Sequence, residues 1–262
     1  MKTREKISRI LLLLGVVLMG VLLVWKPVYD LQDPLKNRLI SDTVQRAIGS
    51  FVFLAATVFL GYRVWNRPLS GWLLAFLPAM LVVVNNFPII GLSTGAVQIT
   101  RADLTWIYLL DCLMIGLFEE IAFRGTIFLA LLENRRGSTK QIFWVSLVSS
   151  ALFGLLHLVN LVEGAGIGST VLQVGYSFLI GGMCTIVFLK CGNILPCIIL
   201  HTLFDLGGRM VGTVADGIIW DAATVVITAV LGVAVAVWML VLLLRIDPAD
   251  TDCFFKKHTK RL

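Results

Sequence analysis

The sequence predicts an all-α membrane protein, a polytopic bundle of about eight transmembrane helices. Three observations carry that prediction. Of the 262 residues, 58% are AVILMFWYC and only 15% are charged, with a mean hydropathy of +0.91. Apolar stretches close to the ~20 residues a helix needs to cross the hydrocarbon core recur along the whole chain. Lys and Arg, finally, concentrate in alternate connections between those stretches. Such a composition excludes an ordinary soluble domain, a disordered tail and a disulfide scaffold. The net charge of +6 shows no basic stripe interleaved with aromatics, so its partner is expected to be the anionic lipid surface and not nucleic acid.

Taken in order, the candidate spans are residues 7–25, 43–62, 69–90, 104–132, 141–161, 170–189, 193–207 and 222–245. The first has the basic start of a signal peptide (Lys2, Arg4, Lys6, Arg9), but its apolar run continues to Trp25 without a small-residue cleavage site, and it reads as a retained span. The segment 193–207 is short and carries His201 and Asp205. Pro78 and Pro196 inside spans predict kinks or frayed starts. Along this path 15 Lys and Arg fall on one side and 6 on the other, with Arg124 inside a helix. That bias predicts an integral protein of the cell membrane with both termini cytoplasmic. No repeat or linker divides the chain, so residues 1–262 are expected to form one integral membrane domain. Of five cysteines, Cys112, Cys184 and Cys197 lie in apolar segments and Cys191 at the edge of one, and no pair has CxxC spacing. Neither a disulfide frame nor a zinc site follows, and Cys253 beside the basic tail is expected to be an idle thiol.

Charges inside apolar helices cost on the order of 2.5–3.5 kcal/mol each and mark function by default. They cluster in residues 117–125, LFEEIAFRG. Glu120 and Arg124 are four apart, with the glutamate on the N-terminal side, which suits an ion pair on one helical face. Glu119 lies about 100° around the helix and is left as the free carboxylate, a candidate general base. The alternative is that Glu119, Glu120 and Arg124 form one buried polar clasp. Two later spans hold Phe153 one turn before His157, and His201 one turn before Asp205. A lone histidine in an apolar helix is usually a satisfied bundle residue. Glu, His and a His-Asp pair on three helices together point instead to a site, which can converge near the cytoplasmic face if the excess length of 104–132 projects inward.

These residues resemble the CAAX protease and bacteriocin-processing (CPBP, or Abi) family of intramembrane proteases, which includes the Ras-converting CAAX endopeptidases. The family's motifs are Glu-Glu-x-x-x-Arg, Phe-x-x-x-His and His-x-x-x-Asn or a similar polar residue, on successive core helices. Here they read Glu119-Glu120-x-x-x-Arg124, Phe153-x-x-x-His157 and His201-x-x-x-Asp205, within a motif-bearing core at about residues 104–207. The resemblance implies an endopeptidase acting on a membrane-associated protein or peptide without a cofactor. In it Glu119 and His157 activate a water, His201 and Asp205 stabilise the oxyanion, and Glu120, Arg124 and Phe153 support the site. Asp205 departs from the asparagine of many relatives, since an ionised carboxylate cannot donate. It would be protonated, hold His201 as imidazolium, or simply pair with Arg209 four residues on.

Two rival readings remain open on the sequence. Glu119, His157, His201 and Asp205 match zinc ligands in number and type, although no HExxH motif is present. Buried Glu, His and Arg also build proton relays, so a non-enzymatic transport or immunity protein is the second rival.

Overall fold

In this computed structural model, the residues described are 32–66, 70–162, 164–218 and 222–259, with Val17, Val21 and Trp25 as isolated positions before them. The expected first span, 7–25, therefore lies outside the described set apart from those three.

Helix α1 (Pro34–Phe59) begins nine residues before the expected span at 43, because Asp33 caps it. The Asp33 side chain accepts the Lys36 N–H at 3.0 Å, and Pro34 supplies the fixed φ of a first turn. Hydropathy misses this polar first part, which carries Arg38 and Asp42. The segment expected at 69–90 divides into α2 (Leu73–Asn85), with Pro78 inside it, and the short α3 (Ile89–Thr94). Strand β1 (Val97–Ile99) follows and pairs antiparallel with β2 (Ala215–Gly217).

The motif-bearing segment runs without a break from α4 (Thr105–Glu120) through a π-helical stretch (Ile121–Phe128) into α5 (Leu129–Leu132). Ser138 caps α6 (Thr139–Leu156), and a 3-10 turn (His157–Leu161) ends it. Helix α7 (Ile167–Cys191) closes on Gly192 in the left-handed conformation, φ 71°. Pro196 falls in the first turn of α8 (Leu195–Gly208), so it starts that helix and does not kink it. Helices α9 (Ala222–Leu244) and α10 (Pro248–His258), the latter capped by Asp247, complete the described chain.

The molecule is almost wholly helical, as the composition predicts. The helices Pro34–Phe59, Thr139–Leu161, Ile167–Cys191 and Ala222–Leu244 are long and apolar enough to cross a membrane, and Leu73–Asn85 and Leu195–Gly208 are shorter apolar helices.

Two ends of the bundle differ in chemistry. At one, the backbone N–H of Arg63 donates to the His258 carbonyl at 2.7 Å, that of Ile194 to Val64 at 3.0 Å, and the Thr139 hydroxyl to Ile246 at 3.1 Å. This basic end gathers Arg63, Arg135, Arg136, Lys140, Lys190, Arg245, Lys256 and Lys257. At the other lie the β1–β2 pair and the Arg101 ion pairs with Asp33 and Asp103. There the Asp33 carboxyl is held below the ordinary carboxylate range by its hydrogen bond from Arg101.

Candidate active site

Close backbone approach brings the motif helices together. A Cβ on Gly116 would sit 2.4 Å from Thr202 Oγ1 and 3.1 Å from the Ile198 carbonyl, so α8 packs directly on α4 just before Glu119. Gly154 does the same for α6 and α7, where an added Cβ would lie 2.8 Å from the Val174 carbonyl.

The Glu120–Arg124 pair expected from spacing is present. Arg124 Nη1 donates to Glu120 Oε1 at 3.0 Å and Nη2 to the Gly181 carbonyl at 2.8 Å, both side chains being fully buried. The guanidinium also lies 4.7 Å from the centre of the Phe153 ring. That ring stands edge-on to His157 and His201, at 5.4 and 5.7 Å between centroids, so Phe153 forms the wall between the two histidines.

His201 is the hub of the cluster. Its Nδ1 lies 2.8 Å from Glu120 Oε1, while its Nε2 faces Glu119 Oε2 at 3.7 Å and Asp205 Oδ2 at 3.9 Å. A carboxylate oxygen accepts, so Nδ1 carries the proton toward Glu120. One oxygen of each glutamate, Glu119 Oε2 and Glu120 Oε2, is buried without a hydrogen bond among the described residues, and the two differ in that Glu120 Oε1 faces both Arg124 and His201. Arg209 does not pair with Asp205. Its Nη1 lies 2.9 Å from Asp111 Oδ2, and Arg46 Nη1 lies 2.9 Å from Asp111 Oδ1.

His157 stands on the other side of Phe153. Its Nδ1 is 3.1 Å from the Phe153 carbonyl, an acceptor only, which leaves Nε2 as the basic nitrogen. Nε2 faces the hydroxyl of Ser177 at 3.4 Å. Ser177 on α7 and Asp111 on α4 are site residues that the sequence reading did not single out. No spacing rule connects either to its partner.

Glu119, His157, His201 and Asp205 all line one cavity of about 670 Å³. Within the bundle the site lies at mid-height. Glu119 sits midway along the rod from Thr105 to Leu132, about 20 Å from either end. The cavity extends from it past Arg46 and Arg209 to residues 164–165 and 211–213, at the β1–β2 end. As to the zinc alternative, no group of three or more His, Cys, Asp or Glu among the described residues is placed to hold a metal ion.

Fold and site together define a helical membrane protein with a Glu-Arg-His cluster buried at mid-bundle. Residues 101–207, which hold all three motifs, match the family described as Type II CAAX prenyl endopeptidase Rce1-like. The chain is also similar to CAAX prenyl protease 2 of Saccharomyces cerevisiae (strain ATCC 204508 / S288c), at 34% identity over 103 residues. That likeness covers 34% of this chain and 32% of the yeast protein, so the chain spans about a third of the length of the curated relative it matches. No solved structure matches the chain.

Proposed function

We propose that the chain is an intramembrane endopeptidase that hydrolyses a peptide bond of a membrane-associated protein or peptide. The observation that carries this reading is the division of the two glutamates. Glu120 Oε1 faces both Arg124 and His201, whereas Glu119 has no guanidinium partner among the described residues and its Oε2 faces His201 Nε2 across 3.7 Å, beside a cavity of peptide-holding size. A gap of that length between polar groups suits a bridging water.

In this reading Glu119 takes a proton from the water as its oxygen attacks the scissile carbonyl. His157, with Nε2 basic, positions the same water. His201, doubly protonated, keeps Nδ1–H on Glu120 and donates Nε2–H to the developing oxyanion, a type of contact worth ~10²–10³ in rate. Asp205, near Nε2, supports that protonated form and does not donate itself. Collapse of the tetrahedral species breaks the C–N bond, and the proton held by Glu119 passes to the leaving amine. No cofactor takes part, so activity should persist in a chelator.

The end chemistry supports an orientation. With the basic end cytoplasmic, as the positive-inside bias favours, both termini are cytoplasmic and the cavity opens to the opposite side. Its substrate would then be cut from that side, in the cell membrane.

Comparing the membrane peptidomes of cells making the wild-type protein and the Glu119→Gln variant tests the activity. At least one membrane-associated peptide should be trimmed only with the wild type. Identical peptidomes at equal protein levels would favour the non-enzymatic reading.

A further inference from the structure

Helix α8 carries His201 and Asp205 on its last two turns, and the two side chains are held differently. His201 is fixed by the 2.8 Å contact of Nδ1 with Glu120 Oε1. Among the described residues no hydrogen bond holds the Asp205 carboxylate, whose Oδ2 faces His201 Nε2 at 3.9 Å. Its position is therefore set by its own backbone. That backbone lies one turn from Gly208, where the helix ends and its carbonyls run out of intrahelical N–H partners.

Side chains from two other elements reach the carbonyls of this turn. The Tyr108 hydroxyl on α4 donates to the Leu206 carbonyl at 2.6 Å and lies 3.3 Å from that of Asp205. The Met210 N–H would reach back to Leu206 if the helix continued, but it turns to the Gly207 carbonyl at 3.4 Å. Asn86, just after α2, donates from Nδ2 to the Phe204 carbonyl at 2.6 Å. Three successive carbonyls, with that of Asp205 in the middle, thus face side-chain donors.

Packing fixes both donors. A Cβ on Gly207 would lie 2.9 Å from the Asn86 carbonyl oxygen, and one on Gly208 would lie 2.5 Å from Asn86 Nδ2, so the amide reaches the helix because neither position carries a side chain. Tyr108 is buried in a small cluster with Leu104 and Cys112. Tyr108 and Glu119 are eleven residues apart on α4 and fall within about 20° of each other around it, so one face of α4 meets α8 at two levels.

We propose that Tyr108 and Asn86 are positioning residues, whose hydrogen bonds to the last turn of α8 hold Asp205 against His201 Nε2. The role rests on the reading of Asp205 as support for protonated His201. The charged and titratable groups around the His201 ring are Glu119 and Glu120 on α4 and Asp205 on α8, with Arg124 behind Glu120 and His157 beyond Phe153. Of these, Asp205 alone sits on the tethered turn. Loss of a tether should therefore disturb the Nε2 side of the ring and leave the Nδ1 side in place.

The test reads the imidazoles directly by nuclear magnetic resonance. The chain has three histidines, so full-length protein isotope-labelled at both ring nitrogens of histidine, in lipid nanodiscs, gives three pairs of signals. His201→Gln identifies one pair. Asp205→Asn should move the Nε2 signal of His201. Tyr108→Phe, which removes only a hydroxyl, and Asn86→Leu should move that signal in the same direction and leave those of His157 and His258 in place. With a hydrolysed peptide as substrate, kcat should fall about tenfold in each at unchanged KM, the order of one hydrogen bond lost. His201 signals equal to those of the wild type in both variants, with only the melting temperature lowered, assign the two residues to stability and overturn the proposal. Failure of both variants to fold does the same, as does a His201 signal indifferent to Asp205→Asn. Moved signals in a protein that hydrolyses no peptide would retire the protease reading and leave the tethers standing.

Discussion

Glu119 and Glu120 are neighbours in sequence with opposite surroundings, and their substitution should separate chemistry from stability. Glu120→Ala strands the buried Arg124 guanidinium with the Gly181 carbonyl as its remaining hydrogen-bond acceptor. Breaking a buried pair costs on the order of 3–5 kcal/mol, so that variant should lose abundance and melting temperature. Glu119→Ala removes no such partner and should abolish hydrolysis while melting close to the wild type; equal destabilisation by both would support the polar clasp. Ser177→Ala tests the tautomer reading of His157. With the Ser177 hydroxyl gone from Nε2, the rate should fall about tenfold at unchanged melting temperature, with a shifted pH profile. Covalent labelling of Ser177 by a serine-directed phosphonate would contradict the water mechanism. The Glu120–Arg124 pair was legible in the sequence because i,i+4 spacing on a helix is a local rule. Ser177 with His157 was not, since 20 residues and a turn lie between them. The bridges from Asp111 to Arg46 and Arg209 were equally hidden, because they exist only once three helices have packed.

Among the elements, the contact of α4 with α8 sets the distance between the glutamates and His201. Gly116 permits it, and overpacking of such a contact typically costs 1–3 kcal/mol. Gly116→Val should lower the melting temperature and the hydrolysis rate together, because it pushes His201 away from Glu120; a fully active variant would show that this contact does not set the geometry. The sequence predicted the rod at 104–132 within a residue or two but not its π-helical turn at Ile121–Phe128, because hydropathy carries no information about an i→i+5 bond. The early start of α1 was missed for the opposite reason: a capped polar helix is strong locally and invisible to hydropathy. At the basic end, α10 docks through His258, whose ring nitrogens lie 2.7 Å from the Phe254 carbonyl and 3.0 Å from that of Gly192. Burial, the largest influence, holds this imidazole below its ordinary range against the pull of both carbonyls, and Lys257 adds to the lowering. The docked form therefore favours neutral His258. Its stabilisation is complete above the unfolded value of about 6.5 and is lost as the pH falls below it toward the lowered folded value. Protection of the amides of residues 248–258, with exchange corrected for its intrinsic pH dependence, should be constant from pH 8 to 7 and fall as the pH drops below 6.5. Protection that rises on acidification would reverse the sign of the argument.

For the whole molecule, the helical membrane class read from the sequence is the one observed, and the position of the site within the bundle was not legible. Counting residues from the basic turn allows a site near the cytoplasmic face if the excess length of 104–132 projects inward. Packing sets it at mid-bundle, with a cavity reaching the β1–β2 end, because the polar first turns of α1 and residues 211–213 enclose that side. In an otherwise cysteine-free protein, Ala165→Cys at the cavity end should react with an impermeant thiol reagent from outside intact cells, and Lys257→Cys should react only after lysis. The reverse pattern would turn the protein over in the membrane and move its substrates to the cytoplasm. The central claim is that Glu119 activates the attacking water. Its most direct test is the single-turnover hydrolysis rate of a peptide recovered from the peptidome comparison, measured for purified wild-type and Glu119→Gln proteins of matched melting temperature. The account predicts a loss of about 10²–10⁴ in the variant, the range of a general base; rates within a factor of about two would contradict it.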